Sequence, residues 1–305
     1  MEIYLPVAQT SVNWAMILGM GAAVGFLAGM LGVGGGFVMT PLLIFYGIPP
    51  EVAVATTASH LTASSMAGAI AQWRRRAVDF KMAGVMLVGG SAGAFLGVYL
   101  FALLRRVGQI DIVVSAGYVI LLGSIGGLML NESLQALRAA KAGAASATRE
   151  TRRNWIHGLP LKMRFRQSRL YISVLPPLAL GFVVGILSAI MGVGGGFIIV
   201  PAMIYLLRMP TNVVMGTSLV QIVFVTATTT ILQAVGNVSV DIMLAFVLIV
   251  GGVLGAQYGV RMAARMPGEQ LRLLLALVVL GVGLRLLYGL VATPNDIYSV
   301  ALGAP

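Results

Sequence analysis

A glycine-rich stretch that occurs twice constrains the architecture of this chain more than any other feature. The stretch Gly-Val-Gly-Gly-Gly-Phe spans residues 32–37 and recurs at residues 192–197. Apolar residues precede both copies, and Pro41 and Pro201 follow them at the same distance. Two long apolar halves, each interrupted by one glycine-rich break, are typical of membrane proteins built from internal repeats.

The composition places nearly the whole chain in a lipid bilayer. Hydrophobic residues make up 59% of the chain and charged residues 10%, against roughly 45–50% and about 25% in soluble domains. We therefore expect an all-α polytopic membrane protein with two repeats of four to five segments each. Because the chain has no cysteine, disulfides and Cys-ligated metals are excluded. We expect no catalytic residue, no metal and no cofactor.

Each half divides into five apolar pieces, of which the second is short. The piece at residues 37–48 spans about 18 Å as a helix, against a hydrocarbon core of roughly 30 Å, so it is interpreted as a half-helix or a strongly tilted one. Five crossings per half would give inverted repeats, whereas four would give parallel repeats. The predicted domains are a first repeat at residues 1–130, a basic linker at 131–171 and a second repeat at 172–305. The predicted pieces are 12–31, 37–48, 52–73, 82–104 and 112–130, then 178–191, 197–207, 213–235, 242–262 and 271–291.

The positive charge of the chain is interpreted as a topology signal. The linker carries nine basic and two acidic residues, and so holds most of the net charge of +11. We expect it to be cytoplasmic and near anionic lipid, with both chain termini outside. Arg74–Arg76 then lie inside, and only the turn at Arg105 and Arg106 opposes the positive-inside rule. The turn from Asn237 to Asp241 falls outside, so equivalent turns of the two halves have opposite charge, as inverted repeats require.

In an inverted arrangement the two glycine-rich breaks enter from opposite faces and meet near the bilayer midplane. The short helices that begin at Phe37 and Phe197 would direct free N–H groups and the positive end of the helix dipole at an anion. The alternative is tight helix crossing at a re-entrant bend. No lysine follows the glycines, which excludes a Walker A loop. The backbone candidates for substrate binding are Gly34, Gly35, Gly36, Gly194, Gly195 and Gly196.

Polar residues cluster in the apolar piece that follows each break. Hydroxyls and amides recognise an oxyanion without being charged, although Ser and Thr in membrane helices also bond to their own backbone or to a neighbouring helix. Thr57 and Thr217 are predicted to be equivalent. His60 is the residue within a span that titrates near neutral pH, and gating, anion binding and a neutral structural role all remain open. The side-chain candidates are Thr57, Ser59, His60, Thr217, Ser218 and Gln221.

Other residues are assigned structural roles. Glycines spaced four apart at residues 89–97 and 251–259 are predicted to be surfaces where one helix backbone approaches another. Asp79, Asp111 and Asp241 fall at predicted span ends, which argues against an intramembrane protease and a classical carboxylate proton relay. The sequence contains no His-Glu-x-x-His zinc hydrolase motif.

With the residues from Gly25 to Phe37, followed by Pro41 and repeated from Gly185 to Pro201, the chain resembles the TauE/SafE family of membrane permeases, also called sulfite exporters. The resemblance covers both halves but not the termini or the linker. It implies a multi-pass permease of the bacterial or archaeal inner membrane that moves sulfur-containing oxyanions or organosulfonates such as sulfite, thiosulfate or sulfoacetate.

The function expected from the residues and the resemblance together is secondary transport by alternating access. The expected partners are a small anionic substrate and the lipid bilayer, with a possible homo-oligomer and no nucleic acid. An anion channel would share the same site but would show conductance without saturable counterflow. A polytopic enzyme acting on lipid is a weaker alternative, because it would need a charged catalytic pair within the spans. The direction of transport and the coupling ion remain open.

Overall fold

A computed structural model describes residues 2–31, 33–141, 161–165, 167–168, 170–207, 209–263 and 268–291. Each half consists of a short β-hairpin followed by five helices. The first half contains β1 (Glu2–Leu5), β2 (Thr10–Asn13), α1 (Trp14–Leu31), α2 (Gly36–Phe45), α3 (Pro50–Arg74), α4 (Phe80–Val107) and α5 (Ile110–Lys141). The second contains β3 (Lys162–Phe165), β4 (Leu170–Ser173), α6 (Leu175–Met191), α7 (Gly196–Tyr205), α8 (Thr211–Leu232), α9 (Ile242–Ala263) and α10 (Gly268–Val291), and one π-helical turn, Gln233–Asn237, extends α8.

The predicted all-α polytopic membrane fold is confirmed. Four helical stretches among the described residues are long and apolar enough to cross a bilayer: Phe80–Val107, Ile110–Leu128, Val213–Asn237 and Ile242–Met262. Shorter apolar helices include Gly36–Phe45 and Leu175–Met191. α3 is as long as these spans but carries the predicted polar cluster, and much of it is buried against protein. Its polar side chains are therefore largely shielded from lipid.

The helices of one half pair with helices of the other. α1 lies along α9, where a methyl group on Gly21 would come within 2.9 Å of Leu248 O and one on Gly29 would overlap the backbone of Ala256. From one contact to the next the residue number rises on both helices, so the two helices are parallel. α4 lies along α6 in the same way, and Gly89, Gly93 and Gly97 meet Leu178, Phe182 and Ile186 in turn. The predicted glycine surfaces thus bring helix backbones into contact.

Equivalent helices of the two halves run in opposite directions. On α3 and α8, Thr62 Oγ1 lies 2.9 Å from Thr226 Oγ1, and Gly68 faces Leu219. From one contact to the next the residue number rises on α3 and falls on α8, so the two helices are antiparallel. α5 and α10 are likewise antiparallel, since Gly126 faces Val279 and Gly283 faces Leu122. The two halves are therefore inverted copies, with five helices each in the described part of the chain.

The two hairpins, which the sequence analysis did not predict, each bind a carboxylate of the opposite half. Asp79 accepts from Met82 N–H at the start of α4 (3.2 Å). Its other oxygen accepts from the N–H and the hydroxyl of Ser168, in the β3–β4 turn, at 3.0 and 2.7 Å. Asp241 caps α9 through Leu244 N–H (3.1 Å) and accepts from Val7 N–H, in the β1–β2 turn, at 3.0 Å. Each hairpin therefore covers one end of the bundle.

The predicted linker is described only in part. Residues 131–141 continue α5, and its last residues belong to the β3–β4 hairpin. The remainder, with Arg149, Arg152, Arg153, Arg166 and Arg169, lies outside the described residues, as do Gly32 and Arg208.

Arg105, predicted to oppose the positive-inside rule, has local partners. Its Nε lies 2.7 Å from Glu51 Oε2, and its Nη1 donates to Asn237 O at 2.7 Å. This arginine therefore joins the turns at the end of the bundle that carries the β1–β2 hairpin.

Candidate functional site

The two glycine-rich breaks meet in the interior of the bundle. A methyl group on Gly36 would come within 2.5 Å of Val193 O, and one on Gly196 would overlap Val33 O. The rings of Phe37 and Phe197 lie against each other with 5.5 Å between centroids. α2 and α7 therefore begin beside each other, where the two halves join.

The N-termini of α2 and α7 are not capped by side chains. Gly35 and Gly195 precede the helices, and neither helix has a side-chain cap. Val38 and Ile198 are the first residues whose N–H groups donate within the helices, to Gly35 O at 3.1 Å and Gly195 O at 3.0 Å. The first two residues of each helix precede these donors. Their N–H groups, at Gly36, Phe37, Gly196 and Phe197, have no acceptor in the described part of the chain. Such groups, with the helix dipole behind them, favour an anion.

The six candidate glycines do not have the same surroundings. Gly35 and Gly195 face the preceding helix, and a methyl group on either would overlap Val24 or Val184. These two are therefore packing positions. Gly34 has a φ of +75°, where side chains are disfavoured, but its nearest neighbour is 3.5 Å away, at Ile222 Cδ1. Gly194 and Gly195 also have positive φ, at 69° and 73°.

The side chains of Leu61 of α3 and Ile222 of α8 each face three of the glycines in the breaks. Leu61 contacts Gly34, Gly36 and Gly194, and Ile222 contacts Gly34, Gly194 and Gly196.

The residues one turn from Leu61 lie on the same face of α3. Thr57 and Ser65 are both buried, and neither hydroxyl has a hydrogen-bond partner in the part of the chain that is described. The polar face that α3 turns toward the breaks is therefore formed by Thr57 and Ser65, with the apolar Leu61 between them.

His60 and Gln221 occupy equivalent places in the two halves. The His60 ring lies over Gly252 of α9, and the Gln221 amide lies beside Gly90 of α4. His60 Nδ1 is 2.9 Å from Leu248 O. His60 Nε2 and both amide atoms of Gln221 are buried without a hydrogen-bond partner among the described residues. Buried polar atoms of this kind call for an explanation, and ligand binding is one.

Thr217 and Ser218 have structural partners instead. Thr217 Oγ1 accepts from Asp79 N–H at 3.0 Å, and Ser218 Oγ donates to Met215 O at 3.1 Å. In the other half it is Thr56 that accepts from Asp241 N–H, at 3.1 Å. The predicted equivalence of Thr57 and Thr217 is therefore wrong by one residue. Ser59, the remaining candidate, has a buried hydroxyl without a partner in the described structure.

Several polar residues near the breaks were not predicted. Tyr118 of α5 is fully buried, and its hydroxyl donates to Met191 O at 2.7 Å and lies 3.4 Å from Gly36 O, so it bridges the two breaks. Ser188, four residues before Gly192, has a buried hydroxyl without a described partner. Both residues could have been found in the sequence, because each is a polar residue within an otherwise apolar segment.

The family model of the sulfite exporter TauE/SafE proteins matches residues 17–286 of this chain. The chain belongs to the sulfite exporter TauE/SafE family. Relatives named probable membrane transporter proteins include YjnA of Bacillus subtilis, 29% identical over 89% of this chain and 98% of its own length. Another, from Xylella fastidiosa, is 31% identical over 92% of this chain and 97% of its own.

A TauE/SafE relative from Arabidopsis thaliana, the sulfite exporter TauE/SafE family protein 3, is 30% identical over 35% of this chain and 24% of its own length. No solved structure matches the chain significantly. Family membership and the apolar helices together identify a multi-pass membrane transporter.

Proposed function

We propose that this TauE/SafE protein is a secondary carrier, and not an enzyme, that moves a small sulfur-containing oxyanion or organosulfonate across the cytoplasmic membrane by alternating access. The observation that carries the proposal is the meeting of two helix N-termini, α2 and α7, that have no side-chain cap. Their N–H groups at Gly36, Phe37, Gly196 and Phe197 have no acceptor among the residues that the structure describes. The name of the family refers to sulfite, and we extend the proposed substrate class to thiosulfate and sulfoacetate, which are also small sulfur-containing anions.

The electrostatics around the breaks suit an anion that must be released again. The sequences of α1, α2, α6, α7 and α8 contain no Asp, Glu, Lys or Arg. An anion there would be held by amide dipoles and by neutral side chains such as Thr57, Ser59 and Gln221, and not by a buried ion pair. Partial charges of this kind bind an anion without trapping it as a full countercharge would.

Both breaks are buried, with one hairpin at each end of the bundle. A state closed at both ends is one that alternating access requires. We infer that each end opens in turn, and that Leu61 and Ile222 move away from the glycines when the anion enters. Inverted repeats supply two equivalent conformations for such a cycle.

The proposed orientation places the linker in the cytoplasm and the β1–β2 hairpin outside. Because the chain has no cysteine, single cysteines can be introduced directly. Arg75 and Arg106 are both exposed, at opposite ends of α4 and its preceding turn. A membrane-impermeant maleimide should label Arg106→Cys in intact cells and Arg75→Cys only after permeabilisation. The reverse labelling pattern would show that the orientation is inverted. Equal labelling of the two variants would contradict an odd number of membrane crossings between positions 75 and 106.

Counterflow in proteoliposomes tests the function. Vesicles preloaded with unlabelled sulfite, thiosulfate or sulfoacetate should take up the labelled anion with saturation. Gly196→Ala should lose this exchange, because its methyl group overlaps Val33 O and separates the breaks. Gly84→Ala is the matched control, since nothing lies within 4 Å of the added methyl group. Conductance without exchange would identify a channel. The absence of both conductance and exchange with all three anions would refute the proposal.

A further inference from the structure

One ring nitrogen of His60 lies in the interior of the helix bundle without a hydrogen-bond partner among the described residues. The side chain is 0% exposed, and Nδ1 lies 2.9 Å from Leu248 O. A carbonyl oxygen only accepts, so Nδ1 carries the hydrogen and the neutral ring keeps a lone pair on Nε2. Nε2 is buried, and no residue that the structure describes bonds to it.

The surroundings hold the ring in this position. A methyl group on Gly252 would overlap Cε1 of the imidazole and lie 2.6 Å from Nδ1. A larger residue at position 252 would therefore displace the ring. Gln221, beside Gly90, is the counterpart in the other half. One half thus has a titratable group where the other has an uncharged amide.

Other titratable groups on the helices around His60 are distant along the chain or already bonded. α1, α2, α6 and α8, which contact α3, contain no ionisable residue. Asp241 precedes α9 by one residue, about 10 Å along the axis from Leu248, and its carboxylate accepts from Leu244 and Val7. The buried Tyr118 hydroxyl donates to Met191 O. The remaining ionisable residues on α3 and its neighbours α5 and α9 are Glu51, Arg74, Asp111, Glu132, Arg138, Lys141, Tyr258 and Arg261.

We propose that His60 couples transport to protons, so that one proton crosses with each anion. This inference rests on the transport function proposed above. The lone pair of a neutral ring repels an anion oxygen, whereas a proton between Nε2 and that oxygen makes a charge-assisted hydrogen bond. For a fully ionised anion the proton comes from hydronium in the aqueous phase on the side where the anion enters, which leaves water; a protonated anion such as bisulfite brings its own proton. When the anion leaves on the other side the proton leaves with it, and Nε2 returns to its neutral state.

Anion and proton each strengthen the binding of the other, and this mutual effect is what couples their movement. Gln221 in the opposite half can donate to the anion at any pH, because an amide does not titrate. The asymmetry between His60 and Gln221 therefore gives the carrier a single proton site within two otherwise similar halves.

Thiosulfate is the probe of choice because it carries no titratable proton near neutral pH. Proteoliposomes with a trapped pH-sensitive dye receive an inward thiosulfate gradient, and the ratio of protons to thiosulfate taken up is measured. We expect a ratio of about one for a linked pair, and accumulation of thiosulfate when the outside is made acidic. Net uptake of thiosulfate down its gradient with an unchanged internal pH would overturn the proton proposal alone. Absence of counterflow with thiosulfate, sulfite and sulfoacetate would overturn the transport function instead.

Two substitutions then test the residue. His60→Asn keeps a nitrogen that can donate to Leu248 O, and His60→Gln places an amide near the position of Nε2; neither titrates. Because the readout is a ratio, a slower variant remains informative. The ratio should fall to about a tenth of the wild-type value or less in both variants, and stay at the wild-type value in Gly84→Ala. A wild-type ratio in either His60 variant would exclude His60 as the proton carrier.

Discussion

Thr57 and Thr217 carry the same side chain on equivalent helices, but within the described part of the chain only the Thr217 hydroxyl has a protein partner. Thr217 Oγ1 accepts from Asp79 N–H at 3.0 Å, whereas Thr57 Oγ1 is buried without a partner among the described residues. Valine replaces the hydroxyl with a methyl group and keeps the β-branched shape. Thr57→Val and Thr217→Val therefore separate a binding role from a structural one.

The expected effects on stability are opposite. Thr217→Val leaves the buried Asp79 N–H without its acceptor, at a cost of about 1–3 kcal/mol. Thr57→Val breaks no hydrogen bond that the described structure contains and removes a buried hydroxyl without a partner there, so stability should be unchanged or higher by about 1 kcal/mol. Thermal unfolding of the purified protein in detergent measures both.

The expected effects on transport also differ. A hydrogen bond to a charged group contributes about 1.5–3 kcal/mol, which is roughly 10- to 100-fold in affinity. Thr57→Val should raise the KM for the transported anion by that factor, whereas Thr217→Val should leave KM within about twofold because its hydroxyl is already occupied.

The decisive measurement is KM from initial rates in proteoliposomes, together with the apparent Tm of the same preparations. If Thr57→Val lowered Tm as much as Thr217→Val and kept the wild-type KM, the unpaired hydroxyl would be a packing feature and the argument from unpaired polar atoms would fail.

Two further predictions concern packing and the hairpins. Gly195→Ala should lower stability by about 1–3 kcal/mol because its methyl group overlaps Val184, and adding Val184→Ala should restore part of that loss; a double variant less stable than Gly195→Ala would show that the overlap is not the cause. Ser168→Ala removes the 2.7 Å bond from the hydroxyl to Asp79 and should cost about 1.5–3 kcal/mol. Val7→Ala should cost less, because Val7 bonds to Asp241 through its backbone N–H, and equal Tm losses in the two hairpin variants would contradict this account.

The helices were predictable because apolar runs between glycines and prolines are the strongest local signal in a membrane chain. The inversion of the repeats followed from the opposite charge of equivalent turns, which reflects topology and not local structure. The hairpins were missed because Glu2–Leu5 and Lys162–Phe165 are only four residues long each and the second lies in a basic segment. Their stability depends on carboxylates from the opposite half, which no local pattern reveals.

The candidate site was predictable in kind but not in detail. The glycines and the polar clusters could be named from the sequence, but the choice between a free and an occupied hydroxyl depends on tertiary contacts. The offset between the glycine motifs matches Thr57 with Thr217, yet the hydrogen bonds match Thr56 with Thr217. Likewise, nothing in the sequence distinguishes Gly35, which faces Val24, from Gly34, which has room beside it.

The exchange of helix partners between the halves bears on how the chain is made in the cell. α1 and α4 are synthesised early, but the backbone grooves into which they fit belong to α9 and α6. Until those helices are synthesised, the glycine surfaces of α1 and α4 lack the partners that they have in the complete protein. A fragment that ends before α6 would therefore leave the glycine surfaces of α1 and α4 without the helices that cover them in the complete chain.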